Sequence, residues 1–218
     1  MPPTWIFDLD NTLHDAEPYI FPEMNRMMTA YVARHMGVDE ATANRLRVDY
    51  WRQYGSTLAG LLQHSEIDPE HFLRETHRFP ELDRRIRPMR GLRAILRRLP
   101  GRKVLFTNAP YVYAITVLRA LRIEHHFDGV IAMQQTGFRP KPHGAGYRRI
   151  LAQHGLAAER CIMVEDSRDN LVTAKRMGMR TVWLSRDLRH GPAVDFRISR
   201  LSDLTRVAAG LTMSSVDK

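Results

Sequence analysis

Cysteine is nearly missing from this chain of 218 residues: Cys161 stands alone. A single thiol excludes an internal disulfide and any cysteine-built metal centre. Long apolar runs are missing too, and no stretch approaches the twenty or so residues that span a bilayer. The opening Met1-Pro2-Pro3-Thr4 has neither the charged nor the apolar region of a secretory leader. Repeats and biased tracts are absent. With 44% apolar residues, the reading is a globular protein with one large domain, or a core plus an insert, expected in the cytoplasm as a monomer or weak dimer. Lysine is the other scarcity. Of 33 cationic residues only Lys103, Lys141, Lys175 and Lys218 are lysines. Where arginine is the default cation, a lysine marks a place that needs a compact point charge rather than a planar fork.

The formal net charge of +9 raises nucleic acid as a partner. The arginines are dispersed, however, with short pairs such as Arg84-Arg85 and Arg97-Arg98 falling on polar helix faces. That distribution fits solvated helices and the steering of small anions toward a cleft better than a binding stripe.

From Gly91 onward, apolar strands alternate with helical periodicity. Leu92, Ile95, Leu96 and Leu99 stand at i, i+3, i+4 and i+7, and Pro100-Gly101 stops that helix. Strand-like runs follow at 103–107, 129–133, 161–164 and 181–184, with a weaker one at 196–198. Helical stripes lie between them, and a closing helix lies within 201–210. This alternation predicts a Rossmann-like parallel sheet covered on both faces. The segment from Ala16 to Arg87 is different. Met24, Met27, Met28, Tyr31 and Val32 mark one amphipathic helix; Leu46, Tyr50 and Tyr54 mark another. Leu58, Leu61 and Leu62 continue after Gly55, and Asp68-Pro69 opens one more with a capping residue and an N1 proline. The organisation expected is an α/β core of residues 1–15 and 88–218 with an all-helical cap inserted at 16–87.

The chemistry collects at strand ends. Trp5-Ile6-Phe7 runs into Asp8-Leu9-Asp10-Asn11-Thr12, Phe106 into Thr107-Asn108, and Val164 into Glu165-Asp166. In a parallel sheet these ends share one rim, where open α/β sheets bind their ligands. Lys141, between Pro140 and Pro142, lies just beyond a fourth strand. Carboxylates for a hard cation, a hydroxyl and amide for anionic oxygens, and one lysine form the inventory of phosphoryl transfer.

This ordered set, Asp8-Leu9-Asp10-Asn11-Thr12, Thr107-Asn108, Lys141-Pro142 and Glu165-Asp166-Ser167, resembles the haloacid dehalogenase superfamily of phosphohydrolases across the whole chain. A helical insert after the first motif is the cap of its first subclass. Tyr54-Gly55-Ser56-Thr57-Leu58, Ile67-Asp68-Pro69 and Phe106-Thr107-Asn108-Ala109 are similar to its pyrimidine 5′-nucleotidases. The resemblance implies that Asp8 attacks phosphorus and that Asp10 serves as acid and then base. It implies Mg²⁺ held by Asp8, the Asp10 carbonyl and Asp166, with Glu165 behind them. Thr107, the Asn108 amide and Lys141 would hold the transferring oxygens, and Asn170 would have an orienting part.

Taken singly, Asp10 reads as a turn residue, Thr107-Asn108 as a strand-ending loop and Lys141 as a surface charge; together and in order they do not. The expected activity is hydrolysis of a small phosphorylated metabolite, with a pyrimidine nucleoside monophosphate favoured and Tyr54 and Thr57 contacting it. Phosphoglycolate, sugar phosphates or a phosphomutase reaction form the alternative. Asp10 argues against dehalogenation and phosphonate cleavage, whose enzymes lack that carboxylate. A basic nucleic-acid-binding or regulatory protein is the non-enzyme reading. His14 fits either a site-lining or a hinge position.

Overall fold

The computed structural model describes residues 2–78, 80–188 and 191–213. Six strands form one parallel sheet: β1 (Thr4–Phe7), β2 (Lys103–Phe106), β3 (Gly129–Ile131), β4 (Cys161–Glu165), β5 (Arg180–Leu184) and β6 (Phe196–Ile198). Their order is β3-β2-β1-β4-β5-β6, so β1 lies at the point where the winding reverses. The third strand is shorter than its apolar run suggested, ending at Ile131.

Alternation along the strands sends side chains to opposite faces. Trp5, Phe7, Leu105, Ile162 and Val164 belong to one apolar cluster. Ile6, Val104, Phe106, Cys161 and Met163 belong to another. Between β1 and β2 the chain makes α1 (Ile20–Met36), α2 (Glu40–Tyr54), α3 (Thr57–His64), α4 (Pro69–His77), α5 (Leu82–Arg85) and α6 (Leu92–Arg98). Among the described residues the later α-helices are α7 (Tyr111–Ala120), α8 (Gly144–His154), α9 (Arg168–Arg176) and α10 (Leu204–Met213). Among the described residues, no helix is long and apolar enough to cross a membrane.

The helices α1 to α4 enclose an apolar cluster of their own, built on Tyr31, Val32, Tyr50, Leu58, Leu61, Phe72 and Leu73. Local chemistry sets their ends. The side chains of Asp39, Ser56 and Asp68 accept backbone N–H groups at the starts of α2, α3 and α4. Gly55, at φ 82°, breaks α2 from α3 in a conformation that suits glycine. Met133, which follows β3 in sequence, is buried inside this helical cluster, and Phe138 packs against it. The two chain passages into the insert run side by side: Asp15 N–H donates to the Arg87 carbonyl at 2.8 Å, and Met89 N–H to the Leu13 carbonyl at 3.0 Å.

Gly60 of α3 lets α2 approach closely, because a Cβ there would lie 2.3 Å from Tyr50 Cγ. In an open helix Gly→Ala is stabilising by ~1 kcal/mol; here overpacking reverses the sign at about 1–3 kcal/mol. Gly60→Ala is therefore expected to lower the melting temperature, by roughly 2–4 °C per kcal/mol for a chain of this size. An unchanged or raised value in differential scanning calorimetry would refute the tight contact.

Candidate active site

Strand register brings the polar groups level. Phe7 pairs with Leu105 on one side and Val164 on the other. The next residue, Asp8, therefore stands beside Phe106 and Glu165. Lys141 exploits that level. Its Nζ donates to Asp8 Oδ1 at 2.7 Å, to Glu165 Oε2 at 2.7 Å and to the Phe106 carbonyl at 2.9 Å. Three donors meet three acceptors, and Lys141 is 2% exposed. Asn108 fixes the lysine's backbone, donating from Nδ2 to the Lys141 carbonyl at 3.0 Å and accepting from the Lys141 N–H at 2.7 Å. Thr107, also buried, accepts the Ala109 N–H at 3.0 Å, and its own hydroxyl proton remains available for donation.

Asp8, Glu165 and Asp166 place carboxylate oxygens within 4.8 Å of one another. Burial and the Glu165 charge push the Asp8 carboxyl up to about 7 despite Lys141. Burial likewise raises Glu165 to about 7, with Lys141 opposing and Asp166 adding to the rise. Burial also lifts Asp166, with Asp8 adding to the effect. Lys141 is held in its charged form: burial opposes the charge, but Asp8 and Glu165 more than compensate. The cluster thus has more negative charge than one ammonium neutralises. An all-oxygen donor set without histidine or cysteine fits a hard divalent cation such as Mg²⁺.

Asp10 points elsewhere. Its Oδ1 lies 2.8 Å from His14 Nε2 and 2.7 Å from Tyr113 Oη. Its carboxylate is not among the three clustered acids. Burial pushes this carboxyl up, but hydrogen bonds from His14 and Tyr113 outweigh it and the net shift is downward. The turn that makes this possible is local. Asn11 adopts φ 59°, a conformation asparagine tolerates, and its Oδ1 accepts the Ala16 N–H at 3.1 Å. The Leu13 N–H returns to the Leu9 carbonyl at 2.9 Å.

The model for haloacid dehalogenase-like hydrolases matches residues 5–184. The chain belongs to this family. Phosphate metabolism protein 8 of Saccharomyces cerevisiae is 27% identical over 80% of this chain, which spans only 59% of that relative's length. A phosphoglycolate phosphatase of Pseudomonas fluorescens is 27% identical, covering 88% of the chain and 72% of the relative. A 5′-nucleotidase of Pseudomonas aeruginosa is 28% identical, covering 81% and 80%. Among solved structures, a haloacid dehalogenase-type phosphatase from Thermococcus onnurineus superposes with a TM-score of 0.69 at 21% identity, over 96% of this chain and 99% of that one. That likeness shows the shared fold, a parallel sheet with an inserted helical cap.

In this family member the cap residues lie as follows. Thr57 is buried, and its hydroxyl donates to the Arg47 carbonyl at 3.1 Å. Ser56 Oγ accepts the Ala59 N–H at 3.0 Å. Tyr54 Oη lies 2.7 Å from His64 Nε2. The hydroxyls expected to meet a ligand thus make contacts within the cap itself. The turn at Gly55 does reach the core: a Cβ there would be 3.6 Å from the Lys141 carbonyl. Asn170 lies buried in α9, its carbonyl accepting the Tyr147 hydroxyl at 2.8 Å. Sequence reasoning missed Tyr113, which is 103 residues from Asp10, and His77, whose ring meets Tyr113 edge-on at 6.0 Å. Only His14, four residues after Asp10, left a local signal.

His77 gives the protein a titratable weak point. Burial pushes it down to about 4, so the unfolded chain binds its proton first as pH falls. Its contribution to stability is complete above about 6.5 and is lost between there and about 4, amounting to about 3 kcal/mol. Raised carboxyls such as Asp8 act in the opposite sense over the same window, so the contrast with a variant is the useful measure. The stability gap between wild type and His77→Gln in urea titrations should narrow or reverse by about that amount from pH 7 to pH 4. A gap independent of pH would refute the buried neutral imidazole.

Proposed function

We propose that this protein hydrolyses small phosphomonoesters through an aspartyl-phosphate, with Mg²⁺ as cofactor. The observation that carries the reading is the Lys141 ammonium between Asp8 and Glu165, with Asp166 alongside, at the carboxyl rim beside β1. Because Lys141 holds Asp8 by Oδ1, Oδ2 is the oxygen left to attack phosphorus. The bond from phosphorus to the leaving oxygen breaks as the bond to Asp8 forms. Asp10 gives the departing alkoxide a proton, then takes one from the water that releases phosphate. Thr107 and the Asn108 amide bind the transferring oxygens. Asp8, Asp166 and the Asp10 carbonyl would hold the cation, with Glu165 supporting through Lys141. When bound, Mg²⁺ offsets charge on the phosphoryl oxygens.

For the substrate, we infer a compact anionic ester of the phosphoglycolate or sugar-phosphate class. The Tyr54, Ser56 and Thr57 hydroxyls are engaged within the cap, which argues against their reading a nucleobase, and a phosphoglycolate phosphatase stands among the relatives. A pyrimidine nucleoside monophosphate is the second reading. It is favoured by the aromatic group of Tyr50, Tyr54 and His64 beside the Gly55 turn, which approaches Lys141. Residues 16–87 would then act as the selecting domain and the rest as the catalytic one.

Phosphate release with Mg²⁺ from phosphoglycolate, hexose phosphates, UMP and CMP tests both parts. The expected order has phosphoglycolate or a hexose phosphate ahead of the nucleotides; UMP in first place would transfer the assignment to the second reading. Asp8→Asn should lose ~10³-fold or more in kcat while its circular dichroism spectrum stays unchanged. Substantial turnover by that variant would exclude the covalent route.

A further inference from the structure

Asp10 is held more elaborately than a turn residue requires. Tyr113 comes from α7 and His14 from the end of the first motif, and both meet the same oxygen, Oδ1, at 2.7 and 2.8 Å. All three residues are buried or half-buried, with His14 fully inside. Tyr113 donates to Oδ1 and His14 Nε2 faces the same oxygen, so Oδ1 is the acceptor and the proton that Asp10 carries when it acts as an acid sits on Oδ2. The phenol is pushed well above its ordinary range, by burial first and then by Asp10, and so keeps its proton. His14 turns Nε2 to Asp10, so the proton of that contact belongs on Nε2, while Nδ1 is buried without a partner. Each donor is anchored independently. His14 bridges through its backbone to both Asp10 and Pro88, where the chain re-enters the core. The Tyr113 ring packs against His77 at the end of α4.

We propose that Tyr113 and His14 are positioning residues that fix Asp10 by Oδ1, so that proton transfer to the leaving group and from water runs through Oδ2. This rests on the phosphatase reading above. A carboxyl group must stand within hydrogen-bond reach of the leaving oxygen to act as its acid. Unrestrained, Asp10 could rotate about both side-chain bonds and exchange its oxygens. Two donors on one oxygen remove that freedom and leave the second oxygen for chemistry. The rival explanation is that Tyr113 and His14 merely pack the junction between cap and core.

The two accounts part on the leaving group. An alkoxide departs with difficulty unless protonated, whereas p-nitrophenolate departs without help. The value of kcat/KM covers events only up to that departure, so the later attack of water does not enter. Tyr113→Phe keeps the ring against His77 and removes only the donor. It should lower kcat/KM for phosphoglycolate ~10- to 100-fold, a part of the ~10²–10⁴ that a positioned acid contributes, while p-nitrophenyl phosphate changes by less than ~3-fold. His14→Gln, whose amide can present an N–H near the Nε2 position, should retain more of the alkyl activity than His14→Leu. Equal losses on both esters, or none on either, overturn the proposal. A second measurement needs no substrate: ¹⁵N spectra of the wild-type protein should show the His14 proton on Nε2, and Tyr113→Phe should shift that N–H resonance. A bare Nε2 beside a protonated Nδ1 overturns the proposal. If wild type with Mg²⁺ hydrolyses neither ester, the phosphatase reading fails while the spectra still decide whether His14 donates to Asp10.

Discussion

The ammonium of Lys141, buried among Asp8, Glu165 and the Phe106 carbonyl, is the interaction on which the rest of the structure's polar centre depends. Two carboxylates on adjacent strands at one register level would repel strongly out of water, and removing a partner from such a buried group leaves an uncompensated charge worth about 3–5 kcal/mol. The lysine makes the arrangement tenable only because its own position is fixed. Asn108 clasps its backbone from both sides, and its three protons meet three acceptors. Arginine could not replace it, since a planar fork cannot point at two carboxylate oxygens and a main-chain carbonyl converging from the ends of three strands. The scarcity of lysine in the chain is consistent with that demand, although Lys103 shows that a second buried lysine can be structural, donating to the Leu99 and Gly101 carbonyls.

The two aspartates of the first motif are two residues apart yet sit in opposite environments. Asp8 is pushed up by burial and by the acid beside it; Asp10 is drawn down because its contacts with His14 and Tyr113 outweigh its burial. Divergent environments of this kind commonly accompany divided labour between carboxylates. The shared feature is geometric: each is held by Oδ1, leaving Oδ2 unengaged by those partners. Beneath that symmetry lies the tight turn at Leu9 to Leu13, which sends consecutive carboxylates to different neighbours. Asn11 in the left-handed region makes the turn, and Leu9 and Leu13, both fully buried, hold it against the core.

Much of this was legible in sequence because it is periodic or local. The apolar runs at Trp5 to Phe7, Val104 to Phe106 and Ile162 to Val164 identify strands, and strands in parallel order put their polar ends on one rim. The helix start at Asp68 follows from a side chain that can accept a backbone N–H, and Asp39 and Ser56 act in the same way at the starts of α2 and α3. What stayed hidden is long-range side-chain pairing. Nothing at Tyr113 sets it apart from the apolar stripe of its helix, and only the folded chain brings its hydroxyl to Asp10. Tyr54, Ser56 and Thr57 illustrate the converse. Their types suit ligand contact, but hydroxyls at helix ends are equally suited to local bonds, and each finds a partner inside the cap.

The run after β3 ties the cap to the chemistry more directly than the paired passages at Leu13 to Asp15 and Arg87 to Met89 do. Met133 leaves the sheet and inserts into the apolar cluster of α1 to α4, with Phe138 beside it, and within a few more residues the same stretch delivers Lys141. Withdrawing a fully buried side chain of this size costs about 1.5–3 kcal/mol, so the cap is seated on the core by an apolar plug as well as by two paired strands of linker. The Gly55 turn rests against the loop from Pro140 to Pro142, and Gln134 Nε2 reaches Glu70 of α4 at 3.3 Å. One core segment therefore meets the cap through Met133, Gln134, Phe138 and Pro140 before positioning the central lysine. A change in how the cap sits must act on that segment, and through it on the group that holds Asp8 and Glu165 in place.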